Sequence, residues 1–245
     1  MTDGSSAVRG AVLVTGASSG IGAAIAAELA SRGFTVGCLS RRGTAPDGER
    51  LVGFAADVTD QEAAGRALEE LVERAGPLVG LVNGAGFMRQ SASAELTAET
   101  LRSVLETNFV AAFTLSSLAY PHLKAAGGGL IVNIGSFFDS LGIAGNLAYA
   151  ASKAAVGSMT RCLAVEWARD GVRLLNVAPG YVLTELNRDY FSDPGRRQRV
   201  ERRIPVGRLG EADEVARLVA SLFSEPVAFL TGETIYVDGG QGISL

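Results

Sequence analysis

Short apolar runs and helical stretches alternate along this chain from end to end, and that alternation leaves very few folds open to it. Residues 11–14 (Ala-Val-Leu-Val) contain no polar position, as a strand buried on both faces requires. Further strands are predicted at 34–40, 51–55, 78–82, 130–134, 172–177 and 233–237. Between them fall helices at 23–31, from a Thr59-Asp60-Gln61-Glu62 capping box to about residue 74, and after a capping Thr97. Two more follow, one holding Tyr149 and running to about residue 169, the other over 211–223. Strands separated by helices cannot pair as hairpins. They predict an α/β chain with one doubly wound parallel sheet and no domain boundary across its 245 residues. Residues 1–10 are expected to be a flexible tail. Residues 183–205 show no periodicity, and the segment 183–208 is expected to form a lid over the site.

The first strand meets the first helix through Thr15-Gly16-Ala17-Ser18-Ser19-Gly20-Ile21-Gly22. Glycines permit a tight turn and let the backbone approach a pyrophosphate, while the helix N-terminus offers unpaired N–H groups and a positive dipole end. A strand running in and a helix running out favour a cofactor loop over a structural turn. In dinucleotide folds the end of the second strand faces the adenosine ribose, and an acid there bonds its 2′-hydroxyl. Here Ser40 holds that place, with Arg41 and Arg42 behind it. A guanidinium fork suits a 2′-phosphate, so NADP(H) is favoured over NAD(H); the other reading is a solvated basic loop.

Tyr149 and Lys153 are four residues apart in a predicted helix and so share one face. A phenol near its ordinary pKa of roughly 10 is a poor acid or base at neutral pH, and a nearby ammonium lowers that value. The chain has only two lysines, Lys124 and Lys153. Ser136 ends the strand 130–134, beyond which ligands bind in open parallel sheets. Asn108, among apolar neighbours, is either a satisfied core amide or a placed hydrogen-bond donor. Tyr190, Phe191 and a set of arginines that includes 196, 197, 199, 202 and 203 populate the lid, where the arginines either grip an anionic substrate or form a solvated helix face.

A formal charge of −4 gives no reason to expect a nucleic-acid partner. Cys38 and Cys162 sit in apolar runs and are expected to be buried, reduced thiols, which points to an intracellular protein. His122 is the only histidine and is expected in a surface turn, so a metal site built on several histidines is excluded. Neither a signal-like N-terminus nor a membrane-length apolar run is present, and a cytoplasmic location is expected.

Taken together these residues resemble the short-chain dehydrogenase/reductase family from about residue 11 to residue 240. The resemblance implies a Rossmann fold and reversible carbonyl reduction, with Ser136, Tyr149 and Lys153 as the catalytic trio and Asn108 as its fourth member. It implies that Gly16, Ser18, Ser19, Gly20, Ile21 and Gly22 cradle the cofactor and that Asp57, with Val58 beside it, meets the adenine. Pro179, Gly180, Val182 and Thr184 would lie at the nicotinamide end, with Asn83, Ala85 and Gly86 completing the set. Lys153 would lower the tyrosine pKa and bond the nicotinamide ribose, and Asn108 would hold a relay water. Asn83-Gly84-Ala85-Gly86 departs from the family's usual pair of asparagines, which puts one sheet-stabilising hydrogen bond in question. Asp238-Gly239-Gly240 matches the family's usual ending.

The substrate pocket would draw on Phe87, Met88, Phe137, Phe138, Asn146, Leu147, Tyr181, Leu186, Tyr190 and Phe191, a mostly apolar and aromatic set that favours a hydrophobic ketone or secondary alcohol. The chain also resembles the 3-oxoacyl carrier-protein reductases, notably in Pro205-Val206-Gly207-Arg208-Leu209-Gly210. Leu130 and Asp170, however, stand where those enzymes commonly carry arginines. A third reading is a catalytically idle NADP-binding sensor on the same fold. Family resemblance further implies a homotetramer.

Overall fold

The computed structural model describes residues 9–244. In chain order the elements are β1 (Ala11–Thr15), α1 (Gly20–Ser31), β2 (Thr35–Ser40), β3 (Leu51–Ala55), α2 (Gln61–Ala75) and β4 (Leu78–Asn83). Next come α3 (Ala98–Leu105), α4 (Ala111–Ala125), β5 (Gly129–Ile134), α5 (Leu147–Trp167) and β6 (Val172–Pro179). The last are β7 (Val182–Leu183), α6 (Arg188–Phe191), α7 (Pro194–Glu201), β8 (Gly210–Glu211), α8 (Ala212–Ser224) and β9 (Thr234–Val237). Seven strands form one parallel sheet in the order β3-β2-β1-β4-β5-β6-β9. This is the doubly wound Rossmann architecture in a single domain.

The pleat explains why the strands are apolar at most positions. Val12 and Val14 of β1 join a core with Ile25 and Leu29 of α1 and Val219 and Phe223 of α8. Leu13 points the other way, into a second core with Leu68 and Leu71 of α2, Leu115 and Leu123 of α4 and Leu163 of α5. Strand order reverses between β1 and β4, so the loops leaving their C-terminal ends diverge and open a crevice there.

Several local expectations need correction. Helix α1 starts at Gly20 rather than residue 23, because the end of the glycine loop is already helical. Asp60, not Thr59, caps α2: its carboxylate accepts from Ala63 N–H at 2.9 Å, while Thr59 bonds Asp57. Residues 183–205 are not irregular. A 3₁₀ turn at Glu185–Asn187 leads into α6 and α7, the latter capped by Asp193 with Pro194 in its first turn, and β7 pairs with β8. The low apolar content of this stretch concealed its helices. His122 lies in the last turn of α4, 3.2 Å from Glu69, rather than in a turn. Cys38 is buried, and desolvation pushes its thiol up to about 12, but Cys162 is exposed. The helical period turns Cys162 outward even though Leu163 beside it is buried. Of the expected tail, Arg9 and Gly10 alone are described; Arg9 N–H donates to Gly33 O and its guanidinium lies over Phe34. Among the described residues no helix is long and apolar enough to cross a membrane.

The sheet stays tied at the departure from the paired asparagines. Thr15 Oγ1 accepts from both Gly84 N–H and Ala85 N–H at 3.1 Å, joining the end of β1 to the loop after β4. Asn83 reaches the other way, donating to Asn133 Oδ1, Ser116 Oγ and Ala112 O. Thr15→Val keeps the side-chain shape but strands two amide donors. It is expected to lower stability by about 1–3 kcal/mol in urea unfolding, and an unchanged midpoint would show that these bonds do not hold the crevice.

Candidate active site

The four catalytic candidates are carried by α5, by the loop after β5 and by a turn between α3 and α4. Tyr149 and Lys153 stand one turn apart near the start of α5, with Lys153 Nζ 5.6 Å from the Tyr149 ring centroid. The lysine is 6% exposed and donates at 2.7 Å to the carbonyl of Ile134, the last residue of β5. Burial without a carboxylate partner lowers its pKa from the ordinary 10.5 to about 8.

Ser136 follows β5 by two residues. Its hydroxyl oxygen accepts from Phe138 N–H at 3.2 Å at the head of a short 3₁₀ turn, and its own proton faces Tyr149. The expected downward shift of the phenol does not occur in this state of the chain. Burial raises the Tyr149 pKa, and the Ser136 hydroxyl is the only group that opposes it. Lys153 is not among the groups that lower it; its ammonium donates to Ile134 O at 2.7 Å.

Asn108 occupies a π turn, Glu106–Val110, between α3 and α4, where Ala111 N–H reaches back to Glu106 O. The wider turn carries its amide into the site. Its Nδ2 donates to Phe87 O and Ser152 Oγ, both at 3.0 Å, and its Oδ1 accepts from Phe87 N–H at 2.9 Å. Ser152 passes the link to Tyr149 O at 2.7 Å. Both readings of Asn108 therefore meet: the amide is satisfied, and it is placed. A Cβ on Gly86 would sit 3.1 Å from Asn108 Oδ1 and 3.7 Å from Lys153 Nζ, so the glycine marks where the two groups converge.

The glycine loop has the shape of a phosphate cradle. Gly16 has φ +70°, and a Cβ there would lie 2.9 Å from the Ala85 backbone; at Gly22 it would lie 2.4 Å from Gly16 O. Ser19 begins α1 without a side-chain cap, and no acid sits in the first turn, so the helix end is ready for an anion. Arg42 spans the crevice edge, donating from Nη2 to Ser18 Oγ at 3.0 Å and to Ser18 O at 3.1 Å. Ser40 is buried, with its hydroxyl oxygen accepting from Gly43 N–H. Asp57 is exposed and held ionised by the backbone and hydroxyl of Thr59, with Arg41 adding to the effect, while Val58 beside it is buried. These residues fit a dinucleotide. Thr184 lies over the loop, its side chain 3.4 Å from where a Gly20 Cβ would be. Pro179 ends β6, Val182 begins β7, and Gly180 between them packs on Asp238.

Of the pocket residues, Phe137, Phe138, Tyr181, Tyr190 and Phe191 come together. Phe138 meets Tyr149 edge-on at 5.9 Å and Tyr181 at 6.1 Å; Tyr181 meets Phe191 at 6.1 Å, and Phe191 meets Tyr190 at 5.0 Å. Phe137 packs on Tyr181 at 5.2 Å. Met88 and Leu147 are exposed, Phe87 is partly buried and Asn146 is fully buried, its Nδ2 donating to Ala144 O. The side chain of Leu186 lies outside the described residues. Sequence reasoning missed Ser152 and Thr15. Ser152 shared the Tyr149–Lys153 segment and could have been found as a polar residue on a helix face; the Ile134 carbonyl has no sequence signal at all.

Residues 16–241 match the model of a family described as enoyl-(acyl carrier protein) reductase. The chain is 39% identical over 243 residues to a tropinone reductase homologue of Arabidopsis thaliana, covering 95% of this chain and 90% of that protein. It is 38% identical over 236 residues to the 3-oxoacyl-[acyl-carrier-protein] reductase MabA of Mycobacterium tuberculosis, covering 96% and 94% respectively. The solved structure of ElxO with NADP bound superposes with a TM-score of 0.88 at 28% identity, over 95% of this chain and 98% of that one.

A buried lysine is a liability to the fold, and its sign can be read. Below pH 8 both folded and unfolded chains hold the proton, at a cost to the folded one. Between pH 8 and 10.5 only the unfolded chain still binds it, so stability gains from rising pH. Cys38 acts oppositely above its ordinary 9.0, so the comparison needs Lys153→Met as a reference. The stability of wild type relative to that variant is expected to rise by about 1.4 kcal/mol per pH unit above pH 8, as read by urea unfolding. A flat difference would mean the ammonium is not desolvated.

Proposed function

The chain belongs to the short-chain dehydrogenase/reductase family of oxidoreductases, and on that premise we propose that it interconverts an apolar ketone and its secondary alcohol with NADP(H). The observation that carries this reading is the convergence of Tyr149, Ser136 and the Lys153 ammonium at the mouth of a crevice walled by aromatic rings. When bound, the cofactor supplies the hydride. Tyr149 holds its proton at neutral pH, since burial raises its pKa, and gives it to the carbonyl oxygen as negative charge gathers there. Ser136 O–H donates to the same oxygen, which counts for more in a water-poor site. Lys153 keeps a positive charge behind the phenol and would bond the ribose of a bound cofactor. Asn108 fixes the Phe87 loop and, through Ser152, the first turn of α5, and its Oδ1 offers a place for a relay water. Residues 183–208 act as the lid.

Arg41 and Arg42 support NADP(H) over NAD(H), as does the absence of a carboxylate at Ser40. A second reading, reduction of a 3-oxoacyl group on an acyl carrier protein or CoA, is favoured by the similarity to MabA. Against it, Leu130 is buried within β5, and Asp170 is engaged by Tyr120 and by Lys124. Self-association is also proposed, supported by exposed Phe113 on α4 and Val165 on α5.

Tyr149→Phe is expected to lower ketone reduction by at least about 100-fold while NADPH binding, followed by cofactor fluorescence, persists. Turnover near the wild-type rate would remove the tyrosine from the chemistry. Arg42→Ala is expected to cut the kcat/KM preference for NADPH over NADH by about tenfold to a hundredfold, and a preference left intact would place the 2′-phosphate elsewhere.

A further inference from the structure

The lid carries a charge imbalance that ketone reduction by itself does not use. Residues 183–208 contain seven arginines (188, 196, 197, 199, 202, 203 and 208) and four acids (Glu185, Asp189, Asp193 and Glu201), a surplus of three positive charges. The rest of the chain holds the other 15 basic and 22 acidic residues, a deficit of seven. A positive island on a negative molecule concentrates anions where it sits.

Some of these arginines are already engaged. Arg197 pairs with Glu201, Arg208 with Glu214, and Arg199 lies near Asp193. Arg188, Arg202 and Arg203 are exposed, and among the described residues none of them forms an ion pair. The island adjoins the aromatic path. The Arg196 guanidinium sits 4.5 Å from the Tyr190 ring centroid, and Arg203 immediately precedes Ile204, which is buried in a cluster with Phe191 and Tyr181. From there the ring contacts lead through Phe138 to Tyr149.

We propose that the carbonyl substrate is an elongated anion, its apolar body lying along Tyr190, Tyr181 and Phe138 and its carboxylate or phosphate held by Arg202 and Arg203 at the mouth of the lid. This deepens the ketone-reductase reading and rests on it. Guanidinium groups suit either anion, since both offer paired oxygens to the planar fork. Exposed charges of this kind act through a field that salt screens within about 10 Å at 0.1 M.

The test uses three ketones with the same apolar body, ending in a methyl ester, a carboxylate or a phosphate monoester, reduced with saturating NADPH. At low salt the anionic ketones are expected to exceed the ester about tenfold in kcat/KM, with the gap closing at about 500 mM salt. Arg202→Gln with Arg203→Gln is expected to lower that anion-to-ester ratio about tenfold, and Arg203→Lys to restore part of it. The salt series on wild type stands by itself should the double variant fail to fold. Comparison of the carboxylate and phosphate arms identifies the anion. Reduction of the ester with no preference for either anion, or a ratio indifferent to both salt and substitution, overturns the proposal alone. No reduction of any of the three overturns the ketone-reductase reading and the proposal together.

Discussion

One buried ammonium, held by one main-chain carbonyl, sets the arrangement of the whole site. Lys153 spends folding energy to be where it is, since no carboxylate compensates its lost hydration. The bond to Ile134 O locks the first turns of α5 onto the end of β5, two residues before Ser136. That single contact therefore fixes the distance between a helix-borne phenol and a loop-borne hydroxyl. The surrounding cores supply the rigidity that makes it worthwhile, with Leu13 and Val14 of β1 anchoring opposite faces of one sheet.

The phenol departs from the simplest electrostatic picture. An ammonium nearby is commonly invoked to draw the tyrosine pKa down, yet here burial of both groups prevails. A protonated Tyr149 is the form that the proposed carbonyl reduction would consume, so desolvation would prepare the acid. The reverse reaction needs the phenolate, and the same environment disfavours it.

The alternation of apolar runs made the sheet legible, because a strand buried on both faces is apolar at most positions. Seven parallel strands follow from that pattern, and residues 15–22 mark the switch point between β1 and β4. The catalytic candidates were legible because i and i+4 spacing is a geometric statement about a helix. What stayed hidden depends on the third dimension or on the main chain. Ile134 O has no side chain to announce it, and Thr15 read as the first residue of the glycine loop until its hydroxyl proved to bind two amides of the loop after β4. The lid looked structureless because α7 buries almost nothing and so lacks an apolar stripe. Cys162 misled for the opposite reason: apolar neighbours in sequence are not neighbours on a helix surface.

The π turn at Glu106–Val110 has a consequence for how the gene can vary. It inserts one extra residue between two helical segments, Ala98–Leu105 and Ala111–Ala125, that each press a fixed side against the rest of the molecule. Deleting one residue there would restore an unbroken α-helix with both segments close to their present phase, so Val104 and Leu115 would keep their places in the core. The bulge that carries Asn108 to Phe87 would be lost. A single lost codon here would leave the fold standing and take the amide out of the crevice.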